Sequence, residues 1–131
     1  MRRFILTICL LLTLLTCAQP TYAEWRYANH YNGISVYWQT DTISTSDGYI
    51  YFEVKWVNDT ASDLKVKSSV LNTLMPRSGE LVKVTYIKQY DEDGTLLHEG
   101  PWLYLIPASG TGMEPACRQV VAFVQQNNYP W

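Results

Sequence analysis

The side chains that could do chemistry in this chain are few, and their spacing argues against a catalytic or metal centre. His30 and His98 are its two histidines. A zinc site needs three or four His, Cys or acidic ligands. Neither histidine has a neighbour at ligand spacing, so structural roles are favoured for both. Cys117 with a histidine base would make a nucleophilic pair. Yet Cys117, Val120, Val121 and Val124 fall at i, i+3, i+4 and i+7, which puts the thiol on the apolar side of a helix. A reactive thiolate needs an electropositive, partly exposed setting instead. Asp91-Glu92-Asp93-Gly94 lacks the alternating ligands and distant glutamate of a calcium loop, and reads as a solvated hairpin tip. Ser109-Gly110-Thr111-Gly112 precedes a helix but has no lysine and no phosphate-loop spacing. Asn58-Asp59-Thr60 matches a glycosylation sequon, a three-residue pattern common by chance. The expectation is no catalytic residue, no metal and no cofactor.

Recognition chemistry is better supplied. Aromatic residues make up 14% of the chain, including five tryptophans. Ile50, Phe52, Val54 and Trp56 alternate with Tyr49, Tyr51, Glu53 and Lys55, the signature of a half-buried strand. Leu64 and Val66 alternate with Lys65 and Lys67, in a segment that runs on towards Val70. Val82, Val84 and Tyr86 alternate with Lys83 and Thr85. If all three are strands, Tyr49, Tyr51, Lys55, Lys65, Lys67 and Lys83 share the wet face. Tyrosines among lysines make a candidate protein-binding face, although an ordinary sheet exterior has the same composition.

The elements that position these residues follow from the same periodicity. Ile34, Val36 and Trp38 alternate with Ser35, Tyr37 and Gln39, giving an earlier strand. Trp25 to Tyr31 reads either as an edge strand or as a lead-in. Ser46-Asp47-Gly48 and Asn58 to Asp63 separate strands, and Asp91 to Gly94 makes a hairpin turn. Short strands are expected over Thr95–His98 and Trp102–Ile106. Pro115 suits a first helical turn, and the apolar spacing that follows predicts an amphipathic helix over roughly residues 113–127. One-faced strands followed by one helix imply an α+β fold: an antiparallel sheet of about six strands with a C-terminal helix packed on one face.

Ahead of this domain stands an export signature. Arg2 and Arg3 precede an apolar run from Phe4 to Leu15, and Thr21-Tyr22-Ala23 ends on a small residue. The run is shorter than the roughly 20 residues that span a bilayer. Residues 1–23 are therefore expected to be a signal peptide and residues 24–131 a single domain, released to the periplasm, the cell surface or the medium. Leu14-Leu15-Thr16-Cys17 resembles a lipobox, so lipidation at Cys17 stands as an alternative to cleavage after Ala23. That is the one expected membrane attachment. The chain is acidic, with a net charge of −2, and losing Arg2 and Arg3 makes it more so. That disfavours nucleic-acid binding. After cleavage at Ala23 the one remaining cysteine is Cys117, which cannot form an internal bridge.

The order of these segments resembles the surface-adhesin protein E family. The resemblance rests on Val36-Tyr37-Trp38-Gln39-Thr40-Asp41-Thr42-Ile43, on Val54-Lys55-Trp56, on Tyr90-Asp91-Glu92-Asp93-Gly94, and on Trp102-Leu103-Tyr104-Leu105-Ile106-Pro107-Ala108-Ser109, with Cys117 opening the last helix. It covers roughly residues 34–120. It implies a six-stranded antiparallel sheet with a helix on one face, and a non-enzymatic adhesin that binds host or cell-surface proteins. It also implies a bridge from the helix cysteine to the sheet, but Met75 to Glu80 holds no cysteine. Apolar packing alone is then expected to hold the helix. A periplasmic inhibitor or small-ligand carrier is the alternative function, and a small hydrolase a more distant one.

Overall fold

The computed structural model describes residues 24–130. The expected signal peptide, Cys17 and Trp131 lie outside the described residues. The described chain forms one antiparallel sheet and one C-terminal helix, as the alternating strands and the final apolar spacing predict. The strands are β1 (Trp25–Tyr31), β2 (Ile34–Gln39), β3 (Ser44–Ser46), β4 (Tyr49–Asn58), β5 (Ser68–Pro76), β6 (Leu81–Tyr90) and β7 (Leu96–Pro107), followed by helix α1 (Glu114–Gln126). Their order across the sheet is β1-β2-β4-β5-β6-β7, with short β3 beside β4.

Turn chemistry sets the register. Asn32 and Gly33, with φ of 48° and 77°, are the two-residue loop between β1 and β2. Asp47 and Gly48 do the same between β3 and β4, at 53° and 82°. Positive φ at both central residues gives the turn whose twist matches the strands it joins. At the β6–β7 turn the Asp91 carboxylate accepts from the Asp93 and Thr95 amides, each at 2.9 Å.

Three expectations are corrected. Leu64 to Lys67 is not a strand: Asp63-Leu64 is a turn, Lys65 has φ of 65°, and Leu64 is 77% exposed. The strand is β5, which begins at Ser68 and buries Ser69, Leu71, Thr73 and Met75. The two short segments at Thr95–His98 and Trp102–Ile106 are parts of one strand, β7, running through Gly100-Pro101. Finally, Tyr86 does not share a face with Val84. The pairing of β5 with β6 slips between Asn72 and Thr73, leaving Thr85 as an extra residue. That bulge turns Tyr86 outward and Ile87 inward, because one added residue inverts every later side chain. Trp25–Tyr31, left open above, is the edge strand.

The inner face holds the core. Ile50, Val54, Leu71, Met75, Val82 and Val84 are fully buried beneath Ala116, Cys117, Val120 and Val124 of α1. Full burial of each larger aliphatic side chain contributes about 1.5–3 kcal/mol. Helix α1 is also tied by polar contacts, which the apolar reading did not include. Trp38 Nε1 donates to Gln119 Oε1 at 2.7 Å, and Trp56 Nε1 to Met113 Sδ at 3.4 Å. Beyond the helix, Thr45 donates to the carbonyl of Pro130. Phe123 meets Trp38 edge-on at 5.8 Å, and the Arg26 guanidinium lies over both rings.

Candidate binding face

The outer face of the sheet is the best-furnished surface for recognition. Residues directly opposite in a sheet share a face, so the register gives its rows. One row runs Tyr27, Tyr37, Lys55, Val70, Lys88, Glu99. The next runs Glu53, Asn72, Tyr86, Pro101, and a third Tyr51, Leu74, Lys83, Leu105. Over the first two rows lies an open concavity of about 710 Å³, walled by Trp25, Lys55, Tyr86, Lys88, Tyr90 and Glu99. The Lys55 ammonium sits 5.5 Å above the Trp25 ring, a cation–π contact. Tyr86 donates its hydroxyl to Glu99 Oε2 at 3.2 Å. Its pKa is raised above 10.0, by burial first and then by the Glu99 carboxylate. Tyr86 is therefore a neutral hydroxyl at physiological pH, engaged with a carboxylate.

Lys55 alone of the six predicted face residues lines this concavity. Tyr49, Tyr51 and Lys83 lie on the same face, further towards the β5–β6 turn. Lys65 and Lys67 lie before the start of β5, outside its strand pairing. Lys65 faces Asp91, Glu92 and Asp93 across a small cleft, and Lys67 donates to the Asp59 carbonyl at 2.7 Å. The structure adds Trp25, Tyr86, Lys88, Tyr90 and Glu99. Correct placement of the Thr85 bulge would have exposed Tyr86, Lys88 and Tyr90 as an outward series.

No protein-family model, curated protein or solved structure matches this chain.

The groups weighed for catalysis do not meet. His30 is on β1 and His98 on β7, the two ends of the strand order. His30 Nε2 lies 2.8 Å from Asp59 Oδ2, an exposed pair that the linear spacing of 29 residues concealed. Cys117 is a free thiol, 2% exposed, and burial pushes its pKa up to about 12. It is a packing residue, not a nucleophile. Among the described residues, no three His, Cys, Asp or Glu side chains are grouped to hold a metal ion. Among those residues, too, no helix is long and apolar enough to cross a membrane.

Proposed function

We propose that the chain is an exported, non-enzymatic domain that binds other proteins through the outer face of its sheet, in the manner of a surface adhesin. The observation that carries this reading is the concavity over β4 to β7. It combines tryptophan and tyrosine anchors with two lysines and two glutamates on the outer face of the sheet. Aromatic side chains supply much of the energy at protein interfaces, and mixed charge sets orientation more than affinity. The resemblance to the protein E family and the export signature support the same reading. The placement of His30 and His98 on different strands, and the burial of Cys117, weigh against the hydrolase alternative.

The test is binding of the purified protein to immobilised matrix and plasma proteins. Saturable binding is expected, weakened at least tenfold by the double substitution Lys55→Ala and Tyr86→Ala. Both side chains are partly exposed, so thermal unfolding should barely change. Absence of binding across the panel, or equal binding by the variant, would refute this use of the face.

Export has its own test. Intact mass of the native protein from fractionated cells is expected to show a species beginning at Glu24. A species beginning at acylated Cys17 in the membrane fraction would instead make it a lipid-anchored surface protein. Retention of Met1 to Ala23 would remove export from the proposal.

A further inference from the structure

The free edge of β7 adjoins the outer face already described and carries features of its own. This strand ends the sheet order and pairs with β6 alone. Its other side therefore presents unpaired backbone groups, a template for another strand. Natural edges are usually protected by charge, and the far edge follows that rule: β1 carries Arg26. The stretch from Gly100 to Met113 has no charged residue at all. Within it Trp102, Leu103, Tyr104 and Leu105 form an uninterrupted apolar run, exposed by 36%, 73%, 52% and 58%. Pro101 and Pro107 lack an N–H, so they bracket a short window, residues 102–106, able to take a strand.

A pocket opens beside that window. Tyr104 and Ile106, on the inner face of β7, form one wall; Tyr31, Ile34, Trp56 and Met113 complete it. Its volume is about 230 Å³ and its lining is almost wholly apolar. Pockets for free small molecules run to roughly 300–1,000 Å³, so this one is sized for a single large side chain. When a peptide adds to a sheet edge, main-chain hydrogen bonds give affinity and pockets for alternate side chains give specificity. Here the two parts adjoin.

The geometry points to β7 as the acceptor of an extended, uncharged segment of another polypeptide. The segment lies along residues 102–106 as an added strand and seats one aromatic or branched aliphatic side chain in the pocket. The absence of charge from Gly100 to Met113 and in the pocket selects an uncharged segment, since a buried unpaired charge is costly. A second copy of this chain is poorly suited. Its Tyr104 and Ile106 already wall its own pocket, and its Trp102 is stacked on Tyr104, ring centres 5.2 Å apart and 6° from parallel. Its exposed Leu103 and Leu105 alternate to the outer face, away from the side on which the pocket opens.

The test uses the purified protein and a soluble peptide alternating threonine with valine around one central phenylalanine. Saturable quenching or enhancement of tryptophan fluorescence is expected, with slowed hydrogen exchange at the amides of residues 102–106. A fully N-methylated peptide of the same sequence should bind at least tenfold more weakly, as should one with alanine replacing the phenylalanine. The double substitution Leu103→Lys and Leu105→Glu should do the same while leaving the thermal midpoint in place, since both side chains are exposed. Unslowed exchange at residues 102–106 under excess peptide overturns the proposal. So does equal binding of the methylated peptide. A protein that is dimeric before peptide is added, through β7 amides freed by the Leu103→Lys, Leu105→Glu variant, overturns it in favour of pairing between copies.

Discussion

Replacing Trp38 with alanine is expected to cost about 3–5 kcal/mol, a large share of the roughly 5–15 kcal/mol that holds a domain folded. Trp38 is 3% exposed at the centre of the sheet–helix contact. Its ring meets Phe123 and lies under Arg26, and its indole N–H donates to Gln119 across 81 residues of sequence. Alanine removes the filled volume, the ring contacts and the hydrogen bond together. Urea unfolding checks the figure, through a shifted midpoint at unchanged slope. Trp38→Phe separates the contributions. It keeps a ring near Phe123 but removes the donor to the partly exposed Gln119 amide, a loss worth about 0.5–1.5 kcal/mol. A loss below about 1 kcal/mol for Trp38→Ala would mean that α1 is not anchored through this residue.

Alkylation of Cys117 should be about a thousandfold slower in the native protein than in the urea-unfolded chain at pH 8. The reacting species is the thiolate. Burial holds the native thiol at about 12 against an ordinary value of 9.0, and each pH unit is a factor of ten in thiolate. The same difference makes stability depend on pH in a defined direction. Between about pH 9 and pH 12 the unfolded chain releases this proton while the native one keeps it, so ionisation favours unfolding. The contribution of the neutral thiol is fully present below about pH 9 and declines by about 1.4 kcal/mol per unit above it. Cys117→Ala should flatten that part of the profile. Native reactivity close to that of the unfolded chain would show that the helix opens readily, or that Cys117 is not covered by the sheet.

Much of this architecture was legible in the residues, and the failures have physical causes. Ile50, Phe52, Val54 and Trp56 alternate cleanly because β4 lies mid-sheet with one face dry. The spacing of Cys117, Val120 and Val124 located the helix for the same reason. Strand β5 was misplaced because two of its inward positions are Ser69 and Thr73, while Val70 and Leu74 point outward. Thr73 tolerates burial by donating to the Phe52 carbonyl at 2.7 Å, a compensation invisible in the linear chain. Leu64 to Lys67 imitated a strand through its short alternation alone. The Asn32-Gly33 loop was missed although Asn-Gly is the strongest short hairpin signal.

The binding face was harder to read than the fold. It depends on the Thr85 bulge, and nothing in Val84-Thr85-Tyr86 announces an extra residue. Without it Tyr86 counts as core, and the series Tyr86, Lys88, Tyr90 disappears from the exterior. The apolar pocket beside β7 was likewise concealed, since it joins residues from β1, β2, β4, β7 and the start of α1. Tyr31 reaches it by lying against Gly112, where even a Cβ would come within 2.9 Å of the ring.

The placement of α1 has a consequence for how the molecule is made. A growing chain emerges amino end first, so all seven strands exist before the one element that covers their inner face. Until Ala116, Cys117, Val120 and Val124 arrive, Ile50, Val54, Leu71 and Val84 have nothing to shelter them. A sheet without α1 would thus present a sticky apolar face. A product that stops short of Glu114 is expected to be cleaved faster by proteases than the full chain, since Ala116, Cys117, Val120 and Val124 no longer complete its core.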